Sequence, residues 1–252
     1  MKIYHSEKNI KLIQGDCLEV MDSMIKQGVK VNAIITDIPY GTTACTWDTI
    51  IPFNDMWQRL NLLIEDSSPI VLFGSQPFTS ELIHSNLKSF KYCWIWNKRY
   101  PANYPLAKKQ PMKIHEDICV FNSKVYYPVM TKRDVPIKKG ANKGADVFHK
   151  GLEREDYQGK VYDEKYPESI IFFPTRQEGK KIHPTQKPLD LMEYLINTYT
   201  HEGDTVLDFT CGSGTTLVAA KKLNRKCFGI ELEENYCEIS KQRLIELDSI
   251  SA

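Results

Sequence analysis

Two short stretches carry residue types that could act on a ligand. Asp37-Ile38-Pro39-Tyr40 follows the apolar run Val31–Thr36. A run of that kind reads as a buried strand, so Asp37 falls at a strand's C-terminal end, where open α/β sheets take their ligands. Pro39 fixes its own φ and holds Ile38 extended, and Gly41 permits a sharp turn. The expected product is a stiff ledge bearing a carboxylate, a directed carbonyl and an aromatic face. That set suits methylation of an aromatic amine, whose lone pair is delocalised into its ring and is a weak nucleophile. Two acceptors on the N–H groups can draw the nitrogen towards tetrahedral geometry. The aromatic face can hold an unstacked base, at ~1–3 kcal/mol. In isolation the tetrapeptide also fits an ordinary strand-to-turn junction.

The second stretch is Asp208-Phe209-Thr210-Cys211-Gly212-Ser213-Gly214-Thr215-Thr216, a strand end, a glycine turn and a helix start. Glycines let backbone approach a ligand, and the helix start offers free N–H groups. Glu231 lies 23 residues after Asp208, at the end of the next strand. An acid there suits the two hydroxyls of a ribose. No Lys follows the second glycine and the spacing is not GxGxxG. A nucleoside therefore fits better than a pyrophosphate, with a plain βαβ turn as the other reading.

These residues need elements to position them. Val31–Thr36, Ile70–Phe73, Tyr92–Trp96 and Ile118–Phe121 read as strands. Helical patterns over Leu18–Gln27, Asn54–Ile64 and Thr79–Asn86 lie between them. Residues 183–252 continue the alternation with a helix from about Thr185 to Tyr199, a strand TVLDF and a helix Thr215–Leu223, then a strand KCFGIE and a helix Glu233–Leu247. Strands alternating with helices predict a sheet of parallel type covered on its faces. Residues 122–182 differ in texture. They are rich in Lys, Asp, Glu, Gly and Tyr, with weak periodicity, and read as a largely loop insert in a single domain spanning 1–252.

Composition narrows the class. Hydrophobic content of 42% and charged content of 26% are those of a globular protein. The polar start MKIYHSEKNIKL is no secretory signal, and no apolar run approaches the ~20 residues of a membrane span. A cytoplasmic protein with no membrane partner is expected. The seven cysteines are scattered without metal or redox spacing and are expected to be reduced thiols. No ligand cluster implies a metal. The net charge of +1 does not announce a nucleic-acid partner, so such a surface must come from local clustering.

The order of the two motifs resembles the β-group of DNA amino-methyltransferases, a circularly permuted class in which the catalytic motif precedes the cofactor motif. The family's D-P-P-Y stands here as Asp37-Ile38-Pro39-Tyr40. Its D-P-F-x-G-S-G-T-T stands as Asp208 to Thr216, and its H-P-T-Q-K-P is present letter for letter at His183–Pro188. Gly15-Asp16-Cys17 and His115-Glu116 also resemble family landmarks. The chain departs from the pattern at Ile38, in place of proline, and at Phe209-Thr210, in place of Pro-Phe.

The resemblance implies a Rossmann-like methyltransferase fold dependent on S-adenosylmethionine, circularly permuted, with a mixed, mostly parallel sheet and helices on both faces. It implies catalysis by Asp37, Ile38, Pro39 and Tyr40. Cofactor contacts are implied at Asp16, Asp37, Thr185, Lys187, Asp208, Thr210, Gly212, Ser213, Gly214 and Glu231. Lys187 is a poor charge for a helix entry, and an anionic ligand would relieve that conflict; by resemblance the ligand is the cofactor's methionine carboxylate. Asp16 also has the spacing of a capping box with Glu19, and by resemblance an acid there contacts the cofactor's adenine amino group. Glu116 is either a loop charge or a support for the catalytic loop, and His183 reads as a structural hydrogen-bonder. Trp94, Trp96 and Phe121 read as core.

The insert occupies the family's target-recognition slot. From Ser123 to Lys150 it carries seven basic and two acidic residues. Lys132, Arg133, Lys138 and Lys139 are its candidate phosphate contacts on double-stranded DNA. The implied function is site-specific methylation of adenine N6 in DNA, within restriction-modification. Cytosine N4 is the alternative target, since members acting on cytosine more often carry Ser where Asp37 stands. A catalytically inactive DNA-binding relative is the alternative class, and a homodimer is left open.

Overall fold

The protein is described by a computed structural model covering residues 1–42, 48–138, 161–175 and 186–251. These fall into two compact units, Met1–Tyr127 with Ser169–Ala252, and Pro128–Glu168.

The larger unit is built on a nine-stranded sheet. Its strands are β1 (Lys2–Ser6), β2 (Ile10–Gln14), β3 (Ala33–Thr36), β4 (Ile70–Gly74), β5 (Phe90–Ala102), β6 (Lys113–Phe121), β9 (Ile170–Phe172), β10 (Thr205–Asp208) and β11 (Lys226–Glu231), in the spatial order β1-β2-β11-β10-β3-β4-β6-β5-β9. The pairings from β2 through β11, β10 and β3 to β4 are all parallel, as is β5 with β9. β1 with β2, β4 with β6 and β5 with β6 are antiparallel. The sheet is thus mixed and mostly parallel.

Alternation along the strands assigns the two faces. Ala33, Ile35, Val71, Phe73 and Val206 pack with helices α4 (Leu189–Tyr199), α5 (Thr215–Lys222) and α6 (Glu234–Ser251). Ile34, Ile70, Leu72 and Leu207 pack with α1 (Cys17–Lys26), α2 (Phe53–Leu63) and α3 (Phe78–Ser85). Trp94, Trp96 and Phe121 are buried in this core. Both faces covered by helices explains why the central strands are near-continuous apolar runs. Among the described residues no helix is long and apolar enough to cross a membrane, and the six described cysteines are free thiols.

The chain leaves β10 through α5 to reach β11 on one side. It leaves β3 through α2 to reach β4 on the other. The carboxyl ends of adjacent β10 and β3 therefore diverge, making a topological switch point where a ligand crevice is expected. Asp208 ends one strand and Asp37 follows the other.

Several boundaries differ from those read in the sequence. β5 and β6 run well past Tyr92–Trp96 and Ile118–Phe121, because their outer halves are only edge-covered and lose the apolar signal. The helix expected from about Thr185 begins at Leu189, with Pro188 as its N-cap. The stretch 122–182 is not wholly insert. Its Ile170–Phe172 is a strand of the main sheet, too short to register as one. The smaller unit holds an antiparallel pair, β7 (Thr131–Lys138) and β8 (Val161–Lys165), which is exposed along most of its length and so lacks a buried face to mark it.

Candidate active site

One cleft of about 820 Å³ opens at the switch point. Its walls include Asp16, Asp37 to Tyr40, Trp96, Lys98, Glu116, Lys187, Asp208 to Ser213 and Glu231. Both sequence motifs thus meet in one cavity of the larger unit.

The ledge is as stiff as its sequence demands. The Asp48 side chain accepts hydrogen bonds from the backbone N–H groups of Tyr40 and Gly41 through Oδ1, each at 2.9 Å, and from Thr42 through Oδ2 at 2.9 Å. Gly41 takes φ +67°, which a side chain would resist. Ile38 is 3% exposed and packs into the core below α2 and α3, so the residue standing in place of proline anchors the ledge by burial. The Tyr40 ring rests on Phe78 at 5.1 Å between centroids.

Asp37 sits in a chain of charges. Its Oδ1 accepts from the Tyr40 hydroxyl at 2.6 Å, and its Oδ2 pairs with Lys187 Nζ at 2.6 Å. Lys187 also pairs with Glu116 at 3.2 Å, and Glu116 with Lys98 at 2.9 Å. The Lys187 ammonium lies 5.0 Å from the Phe73 ring centre and 5.8 Å from that of Trp96. Two acids and two bases make a neutral quartet, the arrangement that lets charges persist out of water. Burial pushes the Asp37 carboxyl above its usual range, against the pull of Lys187. Burial also opposes ionisation of Glu116, but Lys187 and Lys98 more than offset it and bring that carboxyl down to about 2. Burial disfavours the Lys187 ammonium, yet Asp37 and Glu116 hold its pKa above the usual value. The charge conflict noted for Lys187 at a helix entry is thus relieved within the chain. Glu116 lies in β6, not in a loop, and is linked to Asp37 through Lys187.

The glycine turn is held differently. Asp208 is 4% exposed and accepts from Thr36 Oγ1 at 2.6 Å, from Thr216 Oγ1 and from the Thr210 backbone N–H at 3.2 Å. Burial pushes its carboxyl up to about 6 against these bonds. These bonds tie it to both ends of the turn. Glu231 accepts from the N–H of Gly212 at 2.8 Å and of Glu233 at 2.9 Å, and burial pushes its carboxyl up. Gly212 and Gly214 have φ of +52° and +74°. A Cβ on Gly214 would lie 2.7 Å from Ser240 Oγ. Ser240 donates to the Gly212 carbonyl at 2.8 Å, and Arg243 donates to the Ser213 carbonyl and the Thr215 hydroxyl.

Thr210 joins the two motifs. Its Oγ1 donates to the Asp37 carbonyl at 3.1 Å and lies 2.7 Å from Thr36 Oγ1. Phe209, one position earlier, is buried and lines the cleft. The departure from Pro-Phe therefore exchanges an apolar side chain at 210 for a polar tie to the ledge.

Asp16 caps α1, accepting from Leu18 and Glu19 N–H at 2.9 and 3.1 Å through Oδ1 while facing the cleft. Thr185 and His183 lie outside the described residues, as does Lys139. Lys132 and Lys138 are exposed on the β7–β8 pair, and Arg133 donates to the Glu164 carbonyl at 3.0 Å. Sequence reasoning missed Asp48, Lys98, Ser240 and Arg243. Asp48 reaches back six to eight residues to the ledge, outside the span of an Asx turn, so no local signal marks it. The other three act across the fold and leave none. Among the described residues no cluster of His, Cys, Asp and Glu could hold a metal ion.

The chain is similar to known proteins. The sequence pattern of a DNA methylase family matches residues 31–242. The chain is similar to the type II methyltransferase M2.LlaDCHI of Lactococcus lactis subsp. cremoris, at 36% identity with 96% of this chain and 92% of the relative covered. It is similar to the type II methyltransferase M2.MboI of Moraxella bovis, at 37% identity with 97% and 90% covered. Among solved structures, the M1.HpyAVI–SAM complex superposes with a TM-score of 0.65 at 26% identity, covering 93% of this chain and 98% of that one. The cytosine-N4-specific PvuII DNA methyltransferase superposes with a TM-score of 0.69 at 14% identity, covering 99% and 93%, a likeness of fold.

Proposed function

The chain belongs to the DNA methylase family, and from that premise we propose that it transfers a methyl group from S-adenosylmethionine to the N6 amino group of adenine in double-stranded DNA. The observation that carries this reading is the meeting of the Asp37–Tyr40 ledge and the glycine turn in one cleft, tied through Thr210. The type II names of its relatives support a modification role within restriction-modification.

The donor set fits the cofactor. In this reading Glu231 receives the ribose hydroxyls and Asp16 the adenine amino group; both line the cleft, with Phe209, Ile230 and Leu232 as apolar walls. In this reading Gly212, Ser213 and Gly214 form the backbone cradle, and Lys187 and Thr185 are further cofactor contacts by resemblance. When bound, S-adenosylmethionine supplies an electrophilic methyl group on a sulfonium.

The chain's own residues prepare the nucleophile. The Asp37 carboxylate and the Ile38 carbonyl accept the two N–H groups of the target amine, and the Tyr40 face receives the base. Acceptance requires Asp37 ionised, which Lys187 favours against burial. Asp37 need not remove a proton before attack, because the amine becomes a strong acid only as it gains the methyl. Its identity as Asp supports adenine over cytosine, by resemblance. The insert's Lys132, Arg133, Lys138 and Lys139 supply phosphate contacts in this reading.

Tritiated-methyl transfer to mixed-sequence duplex DNA, followed by nucleoside analysis, tests the proposal. N6-methyladenine is the expected product. N4-methylcytosine would move the target to cytosine, and absence of label in DNA would leave a DNA-binding relative without this activity.

A further inference from the structure

The outer halves of β5 and β6 and the segment joining them form an arm. Between Asn97 and Lys113 the chain carries Lys98, Arg99, Lys108, Lys109 and Lys113 and no acidic residue. Residues 99–112 are exposed throughout, Tyr104 at 81%.

This is an ordered element. The Arg99 N–H is received by Asn97 Oδ1 at 2.8 Å, and Arg99 and Asn103 both take left-handed φ. A single 3-10 turn, Tyr104–Leu106, follows, and the N–H groups of Lys109 and Gln110 close onto the Leu106 carbonyl at 2.8 and 3.0 Å. Pro101, Pro105 and Pro111 restrict the backbone further. The cost of fixing an exposed loop this way is not recovered by burial here, since its tyrosines and lysines face solvent.

The arm borders the catalytic cleft. Lys98, Ala102, Asn103 and Lys113 line the same cavity as Asp37 and Tyr40. Within this quintet, Lys98 is neutralised by Glu116. Arg99, Lys108 and Lys109 have no ion-pair partner among the described residues.

We infer that this arm grips the DNA strand that carries the target base, with Arg99, Lys108 and Lys109 on phosphates flanking the extruded nucleotide and Tyr104 as a stacking face beside it. Acid-free positive charge selects a polyanion. An exposed aromatic interleaved with basic residues suits a strand whose bases have lost their neighbours. Position at the cleft mouth selects the target strand over a remote stretch of duplex. This inference uses residues other than the insert's lysines, and it rests on the DNA reading above.

The test measures DNA affinity of the full chain against salt, using mixed-sequence duplex, for the wild type and the Arg99→Ala/Lys108→Ala/Lys109→Ala variant. Counterion release predicts that the log–log slope flattens by about 0.9 for each lost contact, so by roughly 2.7 for the triple variant. A Lys108→Gln/Lys109→Gln variant should flatten it by about 1.8. S-adenosylmethionine affinity is the folding control, and the double variant decides the matter should the triple one fail it. Tyr104→Ala should weaken binding of DNA with an unpaired or abasic position more than binding of intact duplex. An unchanged slope in both lysine variants overturns the inference. Binding is read independently of methyl transfer. A wild type that binds DNA without methylating it would sink the functional proposal while leaving the arm judged by its slope.

Discussion

The ledge at Asp37–Tyr40 and the turn at Asp208–Thr216 touch at Thr210, yet they are held by different forces. The ledge is positioned by charge: Asp48 gathers three backbone N–H groups, and Lys187 stands between Asp37 and Glu116. The turn is held by hydrogen bonds and shape without an ion pair of the ledge's kind: Asp208 is enclosed by two threonines, Glu231 and Arg243 bond the turn's backbone and hydroxyl groups, and Ser240 packs where a Cβ on Gly214 would go. Charge-held geometry should respond to pH and to removal of a counter-ion. Shape-held geometry should respond to added volume. The difference matches the two tasks, since an acceptor for an amine must be ionised and aimed, whereas a nucleoside cradle must chiefly fit.

The largest expected effect is on the ledge. Asp37→Ala should lower the single-turnover methylation rate roughly a hundred- to a thousandfold, the scale found when one preorganised hydrogen-bonding group is removed. S-adenosylmethionine affinity by calorimetry should change little. A variant with near wild-type rate would end the claim that Asp37 acts on the amine.

Next comes the turn. Gly214→Ala combines an unfavourable φ of +74° with a contact of 2.7 Å to Ser240. The strain of about 1–3 kcal/mol corresponds to roughly a tenfold or greater loss of cofactor affinity if the turn shifts to relieve it. The pH profile of methylation at saturating cofactor should keep its wild-type shape. Unchanged affinity in a folded variant would show that shape does not govern this half.

Lys187→Met sharpens the contrast. Only ionised Asp37 accepts from the amine, so activity falls as pH drops through its pKa, which burial already raises. Removing the Lys187 cation raises that pKa further and moves the acid limb to higher pH, by about one unit for each ~1.4 kcal/mol of lost attraction. Lys187→Arg should keep the limb near its wild-type place. A large loss of cofactor affinity with an unmoved limb would assign Lys187 to the turn instead of the ledge.

The smallest effect concerns Asp208. Its folded pKa, about 6, lies above the ordinary carboxylate value, so the native state binds the proton more tightly than the unfolded chain. That group's contribution to stability therefore rises as pH falls from about 6 towards about 4. Asp208→Asn, which keeps acceptor and donor groups for Thr36 and Thr216, should remove this slope in urea unfolding followed across that window. Persistence of the slope would place its origin elsewhere.

Much of this was legible in the chain itself. Ile34, Val71 and Val206 lie in apolar runs because strands covered on both faces have no solvent side, and their short length separates such runs from helices. The ledge and the turn were readable because Pro39, Gly41, Gly212 and Gly214 restrict or free the backbone at fixed offsets. Short or exposed strands such as Ile170–Phe172 and Thr131–Lys138 were not, because neither burial nor alternation marks them.

Local chemistry thus determined, from sequence alone, that Asp37 ends a strand on a rigid turn and that Gly212 and Gly214 open a helix. Those facts depend on dihedral preferences within a few residues. Only the tertiary structure decided what each acid faces. Lys187 lies 150 residues from Asp37, and Thr36 lies 172 from Asp208. Ser240 and Arg243 reach the turn from α6. Which charges pair and which hydroxyls enclose a carboxylate depends on distances set by strand order and helix packing, and no spacing along the chain encodes them.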